Sequence, residues 1–243
     1  MSDCLRVLHV TSEFGSEYVG GLGTFLNSLV AEQRRHMDVD ILLMNGAARP
    51  RVLSHSSLNS LAFFEDDAAR GREQKYDIVH FHDWHFALSE MSVDKFRKAR
   101  WLYTVHLPAV FPGYHGISAS GNFKADLAAE QRMIERSKLV VCNSQFTKST
   151  INKRYGVNTP RIRVIRNGVN NTVFCHGTFE ERPCLIVGAG RLVEQKGWDT
   201  FIKACHLIQK AGFSYDFLLV GSGPLKRDLK EMVSNLGLER SFR

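Results

Sequence analysis

The sequence predicts an α/β protein: one complete doubly wound domain of parallel strands and helices, followed by the first part of a second. Three observations lead there. Short apolar runs of strand length alternate with segments of helical periodicity along the whole chain. Glycine-rich turns follow several of those runs, directly in GAG and GSGP and a few residues on in YVGGLG. A polar stretch from His176 to Pro183 separates a first part with enough strands for a doubly wound sheet from a second part with two βα units. The expected domains are therefore residues 1–175 and 183–243.

Leu5 to Val10 is an apolar run suited to a buried strand. The GGLG glycines follow, and then Phe25, Leu26, Leu29 and Val30 recur at helical spacing. Val39 to Met44 reads as the second strand, Arg49 to Ser60 as a polar loop, and Leu61 to Phe64 as a further short strand. Asp77 to Phe81 is a strand rich in β-formers, ending in His82, Asp83, Trp84 and His85, with a helix expected to about Lys98. Trp101 to Val105 is a strand ending at His106. Leu107 to Gly121, rich in Pro, Gly and aromatic residues, is a long loop of the kind that often carries function. Lys124 to Arg136 is a helix, Leu139 to Cys142 a strand, and Gln145 to Tyr155 a helix capped by Asn143 or Ser144. Ile162 to Ile165 is the last strand of the first part. In the second part, Leu185 to Val187 and Phe217 to Val220 are strands, and Trp198 to Lys210 and Leu225 to Leu236 are helices.

Composition narrows the function classes. The 243 residues are 44% hydrophobic, enough for a packed core, and carry a formal charge of +7. The basic residues are scattered, with no run long enough for a nucleic-acid arm. Phosphate-bearing ligands are therefore favoured over nucleic acid. Five cysteines, none at metal-ligand spacing, point to a reducing, cytoplasmic setting, with Cys142 and Cys184 expected to be buried thiols. No stretch reaches the length of a membrane span, which leaves peripheral membrane contact open.

Chemistry is concentrated at strand ends. Arg191 and Lys196 flank a tight turn between a strand and a helix. That is where α/β sheets bind ligands and where two cations suit a diphosphate, although solvated turn charges would look the same. Gly20, Gly21 and Gly23 lie between the first strand and helix, where glycine lets backbone N–H groups approach an anion; a tight structural turn explains them equally. Neither the dinucleotide fingerprint nor the Walker A pattern is completed. Asp83 and His106 end two separate strands and form a candidate pair for orienting a sugar hydroxyl or sharing a proton. His80, His82 and His85 are close enough in sequence to suggest a metal. However, His80 and His82 share one strand face, no acidic cluster completes the set, and a polar, substrate-facing role is favoured. Glu65, Asp66 and Asp67 read as solvated surface.

Six motifs in order, GGLG, HDWH, TVH, NGV, GRLVEQKG and VGSGP, span nearly the whole chain. With them the sequence resembles the retaining glycosyltransferases of family 4 and their relatives, the bacterial glycogen and starch synthases. The resemblance implies a GT-B fold with two Rossmann-like domains, the acceptor bound mainly by the first and a nucleotide-sugar donor mainly by the second. It implies that Arg191 and Lys196 hold the donor diphosphate, where charge develops as the glycosidic bond breaks. It places Gly20, Gly21 and Gly23 against the diphosphate or the transferred sugar, His106 at the sugar near the reacting centre, and Asp83 as a sugar or acceptor contact. Gly221 and Gly223 form a turn of the donor domain. No metal and no cofactor beyond the nucleotide sugar is expected. The acceptor is a glycan, a lipid or a small molecule.

Three departures from the family pattern stand out. Tyr18 occupies the position of a lysine in glycogen synthases, and Asn170 follows NGV in place of the usual Asp. Glu231 and Glu239 have the spacing of the family's donor-site glutamates but lie after GSGP, without the surrounding loop residues. The expectation is a donor domain that is incomplete in this sequence and a chain weakly active or inactive alone. The alternatives are a non-catalytic sugar- or nucleotide-binding protein or fragment, or a GT-B epimerase or phosphorylase.

Overall fold

The computed structural model describes residues 4–15, 20–43, 51–53, 62–63, 76–84, 96, 98–111, 123–157, 159–171 and 184–243. The chain divides into two compact units, Met1–Asn171 and Thr172–Arg243. The expected linker from His176 to Pro183, the expected helix after Trp84, most of the loop after Phe111, Glu65 to Asp67, Tyr18 and Cys175 lie outside the described residues.

The first unit is built on an eight-stranded sheet. Its strands are β1 (Arg6–Thr11), β2 (Asp38–Leu43), β3 (Arg51–Leu53), β4 (Ala62–Phe63), β5 (Ile78–His82), β6 (Arg100–Val105), β7 (Leu139–Cys142) and β8 (Ile162–Val164). The spatial order is β4-β3-β2-β1-β5-β6-β7-β8. The six strands from β2 to β8 in that order run parallel, and β3 and β4 are antiparallel additions at the edge. This corrects two expectations. The segment read as a loop from Arg49 to Ser60 contains β3, and the strand expected over Leu61 to Phe64 shortens to two residues. Arg51, Val52 and Leu53 are too few to register as a strand; pairing against Ile41, Leu42 and Leu43 defines them.

Helices cover both faces. α1 (Gly21–Gln33) packs Leu26 and Val30 on Val39 and Ile41. On the other face α2 (Phe123–Arg136) and α3 (Gln145–Tyr155) bring Ala129, Met133, Ile134 and Ile151 onto Leu8, Val10, Val79, Phe81, Tyr103 and Val140. α3 has strong boundaries. The Ser144 hydroxyl accepts the Thr147 N–H at 3.0 Å, and Gly156 closes the helix in the left-handed conformation. Sheet order reverses at β1, with β2 on one side and β5 on the other, so the carboxyl ends of β1 and β5 flank a topological switch point.

The second unit has β9 (Leu185–Ala189) and β10 (Asp216–Val220) in parallel, with residues 241–243 running alongside β10. α4 (Trp198–Lys210) and α5 (Lys226–Asn235) enclose Ile202, Cys205, Phe217, Leu229 and Val233. Trp198, Ile202 and Cys205 are buried at helical spacing, which explains why this helix is readable to the residue. Glu231 lies on α5, whereas Glu239 lies beyond its end and accepts a hydrogen bond from the Ser234 hydroxyl at 2.6 Å. Cys142 and Cys205 are buried, but Cys184 is exposed, contrary to expectation, because it precedes β9 rather than packing within it. Among the described residues no helix is long and apolar enough to cross a membrane.

Candidate active site

The carboxyl ends of β5 and β6 bring Asp83 and His106 together. Asp83 leaves β5 with φ 69°, a left-handed conformation that Asp tolerates better than most side chains. This backbone turn aims its carboxylate at the next loop, where Oδ1 accepts the His106 backbone N–H at 3.2 Å. The Leu107 backbone N–H also favours the ionised carboxylate. Burial pushes the Asp83 carboxyl up to about 7, an effect these N–H donors partly offset and the nearby Glu130 reinforces. In the structure the Asp83 side chain therefore orders the His106 loop from beneath.

His106 is held through both its backbone and its ring. Its backbone carbonyl accepts from Asn143 Nδ2 at 3.1 Å, and Asn143 is held in turn by the Thr147 hydroxyl at 2.9 Å. Its ring lies edge-on to Phe25 in α1, with centroids 4.9 Å apart. Its Nε2 is 3.1 Å from Nδ1 of His82. Burial lowers its pKa to about 4, so the ring is neutral at physiological pH.

Two features of this neighbourhood were not singled out in the sequence. The first is Glu130, buried on α2. Its Oε2 accepts from the Ala109 N–H at 3.0 Å and the Tyr155 hydroxyl at 2.6 Å, and its Oε1 from the Tyr103 hydroxyl at 3.4 Å. Burial raises this carboxyl to about 7. Asp83 and Glu130 thus clamp the backbone of residues 106–109 from two elements. The available signal was a charged residue on the apolar stripe formed by Ala129, Met133 and Ile134.

The second is His9, which joins His80 and His82 in a layer of histidines between the sheet and α1. The β1–β5 register pairs His9 with His80, and the β5–β6 register pairs His82 with Thr104, so these side chains share one face. His9 Nδ1 lies 2.8 Å from His82 Nε2, His9 Nε2 lies 2.7 Å from Gln33 Oε1, and His80 Nε2 lies 2.7 Å from the Thr104 hydroxyl. Burial drives His9 to about 4. It also drives His80 and His82 well below the usual imidazole range, with the neighbouring rings pushing the same way. His9, His80 and His82 offer ring nitrogens all within 4.8 Å of one another, a donor set a metal could use. The hydrogen-bonded His9–His82 pair sits closer, however, than the separation of about 3.3 Å that two ligands take on a shared tetrahedral ion. His85 lies outside the described residues.

At the start of α1, Gly20 is the extended N-cap residue. A side-chain carbon at Gly21 would meet nothing within 4 Å, so the first helical turn presents an open surface there. Gly23 is buried, and its N–H is already bonded to Glu13 Oε2 at 3.0 Å, so an internal carboxylate takes one of the helix's unpaired donors.

In the second unit Arg191 and Lys196 are both exposed on the segment between β9 and α4. Among the described residues neither side chain has a hydrogen-bond or ion-pair partner. The segment itself is rigidly built. The Trp198 indole N–H donates to the Arg191 carbonyl at 2.6 Å, and Gly197, at φ 66°, joins a short 3₁₀ turn to α4. The loops after β9 and β10 are tied together by Gly190 N–H to Val220 O at 2.9 Å and Leu192 N–H to Ser222 O at 2.8 Å. A side-chain carbon at Gly221 would collide with the Gly190 carbonyl oxygen, and one at Gly223 with the Leu192 backbone. These two glycines therefore let the loops meet.

Comparison with known proteins extends this picture. Residues 19–173 match the description Glycosyltransferase Family 4. Alpha-maltose-1-phosphate synthase of Mycolicibacterium smegmatis is 24% identical over 223 residues, covering 83% of this chain and 57% of that protein. The chain thus spans little more than half the length of this relative. Sucrose-phosphate synthase of Thermosynechococcus elongatus superposes with a TM-score of 0.67 at 16% identity, over 98% of this chain and 69% of the other. Anabaena HepE, solved with UDP and glucose, gives 0.61 at 16% identity over 98% and 68%. At these identities the structures carry the fold alone, which is that of the GT-B glycosyltransferases. Since the family match spans well over half the sequence and includes both strand ends that hold Asp83 and His106, the chain belongs to Glycosyltransferase Family 4.

Proposed function

We propose that this protein acts in the transfer of a sugar from a nucleotide-sugar donor to an acceptor, with retention of configuration. The observation that carries the reading is the placement of His106: a neutral imidazole at the carboxyl end of β6, beside the topological switch point, held by Asp83, Asn143, His82 and Phe25. A ring so fixed serves to position a polar group on a ligand. We assign it to the transferred sugar, with Asp83 as the residue that holds it and with Gly20, Gly21 and Gly23 forming the glycine turn that a ligand approaches closely. In the second unit, Arg191 and Lys196 hold the donor diphosphate and stabilise the charge it gains on leaving. Gly221 and Gly223 keep that loop in shape.

No metal is required for this division of labour, because the two cations neutralise the leaving group. The acceptor is a glycan, a lipid or a small molecule, and peripheral membrane contact fits a lipid acceptor. The free thiols Cys4, Cys142, Cys184 and Cys205 support a cytoplasmic setting.

Titration with UDP, ADP and GDP tests the reading. At least one binds the unaltered chain, and Arg191→Ala and Lys196→Ala each weaken it by about tenfold or more, a loss of about 1.4 kcal/mol. Unchanged affinity in both variants would remove the diphosphate assignment.

A further inference from the structure

The contacts Gln33–His9–His82–His106 form one continuous hydrogen-bonded chain, running 2.7, 2.8 and 3.1 Å from the end of α1 to the candidate sugar contact. A neutral imidazole has one N–H donor and one bare nitrogen, so each ring passes its polarity to the next. If His9 donates from Nε2 to the Gln33 carbonyl, its Nδ1 must accept. It then accepts from His82 Nε2–H, whose Nδ1 accepts from His106 Nε2–H. That leaves Nδ1 of His106 as a lone pair. If the Gln33 amide turns over, its NH₂ donates to His9 and every bond reverses. Nδ1 of His106 then carries the proton.

A mixed chain would set two lone pairs or two N–H groups against each other at about 3 Å, inside a buried layer. Leaving such a group unsatisfied costs about 1–3 kcal/mol. The two polarities are therefore cooperative, and partial reversal is disfavoured. His9 and His82 are fully buried, so water does not relieve a mismatch at either ring. His80 stands outside the chain, bonded to the Thr104 hydroxyl, which can donate or accept.

We propose that Gln33 is a positioning residue that, acting through His9 and His82, sets which ring nitrogen of His106 carries the proton. The proposal rests on the reading that His106 touches the sugar only for its consequence. In one polarity His106 accepts a hydrogen bond from a sugar hydroxyl; in the other it donates one to a sugar oxygen. The first polarity suits a hydroxyl otherwise lacking an acceptor, and the second an oxygen gaining negative charge.

Gln33 is only part-buried at the helix end, so its substitutions are compatible with folding. Gln33→Glu offers only an acceptor and Gln33→Lys only a donor. Nitrogen NMR of histidine-labelled protein reads the protonated ring nitrogen of His106 directly. The expected result is Nε2–H in Gln33→Glu and Nδ1–H in Gln33→Lys. Gln33→Met, which has neither group, is expected to show a mixture. His82→Phe in either background, where folded, removes the difference. The same His106 tautomer in all three Gln33 variants would overturn the proposal. A switch of tautomer with no change in affinity for UDP-glucose, ADP-glucose or GDP-glucose would uphold the relay while counting against the sugar contact.

Discussion

The Asp83 carboxylate holds the backbone N–H of His106 at 3.2 Å, across from one parallel strand to the next. The bond joins two residues 23 apart in sequence, and it exists because Asp83 turns into the left-handed region as β5 ends. Replacing the side chain separates two effects. Asp83→Asn keeps an oxygen for the N–H groups and tolerates the same backbone. Asp83→Ala loses the acceptor and is strained at that φ. Asn is expected to cost about 1 kcal/mol of stability, and Ala about 2–4 kcal/mol. Urea unfolding measures both, and equal losses would show that the carboxylate does not order the loop.

Glu130 clamps the same loop from α2. Glu130→Gln retains an acceptor for the Tyr155 hydroxyl or the Ala109 N–H, and its expected cost is about 1–2 kcal/mol. Glu130→Leu leaves two tyrosine hydroxyls and a backbone N–H without a partner and costs about 3 kcal/mol or more. Denaturation midpoints of the two variants check the order.

The buried ionisable groups set the pH dependence of stability. His9 and His106 titrate at about 4 when folded and 6.5 when unfolded, and His80 and His82 are lowered as well. Unfolding in that window takes up protons at each ring, so their contribution to stability rises with pH up to about 6.5. Asp83 and Glu130 move the other way, from 3.8 and 4.5 to about 7. Unfolding releases their protons, so their contribution falls as pH rises toward 7. Four histidines outweigh two carboxylates, and stability should climb between pH 5 and 6.5 and then decline slightly. In the Asp83→Asn, Glu130→Gln double variant the climb should steepen and the decline vanish. Urea midpoints across pH 5 to 8 provide the check; a flat profile would mean the histidines are not held neutral.

Two glycines separate packing from ligand approach. Gly221→Ala forces a carbon into the Gly190 carbonyl and should lower the stability of the second unit by about 2 kcal/mol or more. Gly21→Ala meets nothing in the protein and should leave stability within about 0.5 kcal/mol or raise it. If a ligand passes close to that backbone, Gly21→Ala weakens nucleotide-sugar binding all the same. Melting curves and titrations on the two variants distinguish the roles.

Much of this was legible in the sequence because the signals were local. α3 and α4 begin and end at the expected residues, and α3 takes Ser144, one of the two expected caps. Asp83 and His106 stood out because both end strands. What could not be read was lateral. His9 looks like one more residue in a strand until parallel register sets it beside His80 and His82, more than 70 positions later. Glu130 looks like a helix-surface acid until Tyr103 and Tyr155 close over it. β3 is too short to announce itself and is defined only by β2.

The sharpest measurement is the difference in affinity between a nucleotide sugar and its own nucleoside diphosphate, taken for the unaltered chain and for His106→Ala. UDP-glucose against UDP, ADP-glucose against ADP and GDP-glucose against GDP form the panel. If His106 contacts the transferred sugar, at least one nucleotide sugar binds more tightly than its diphosphate, and His106→Ala erases that margin while diphosphate affinity holds. An undiminished margin in His106→Ala would contradict the account.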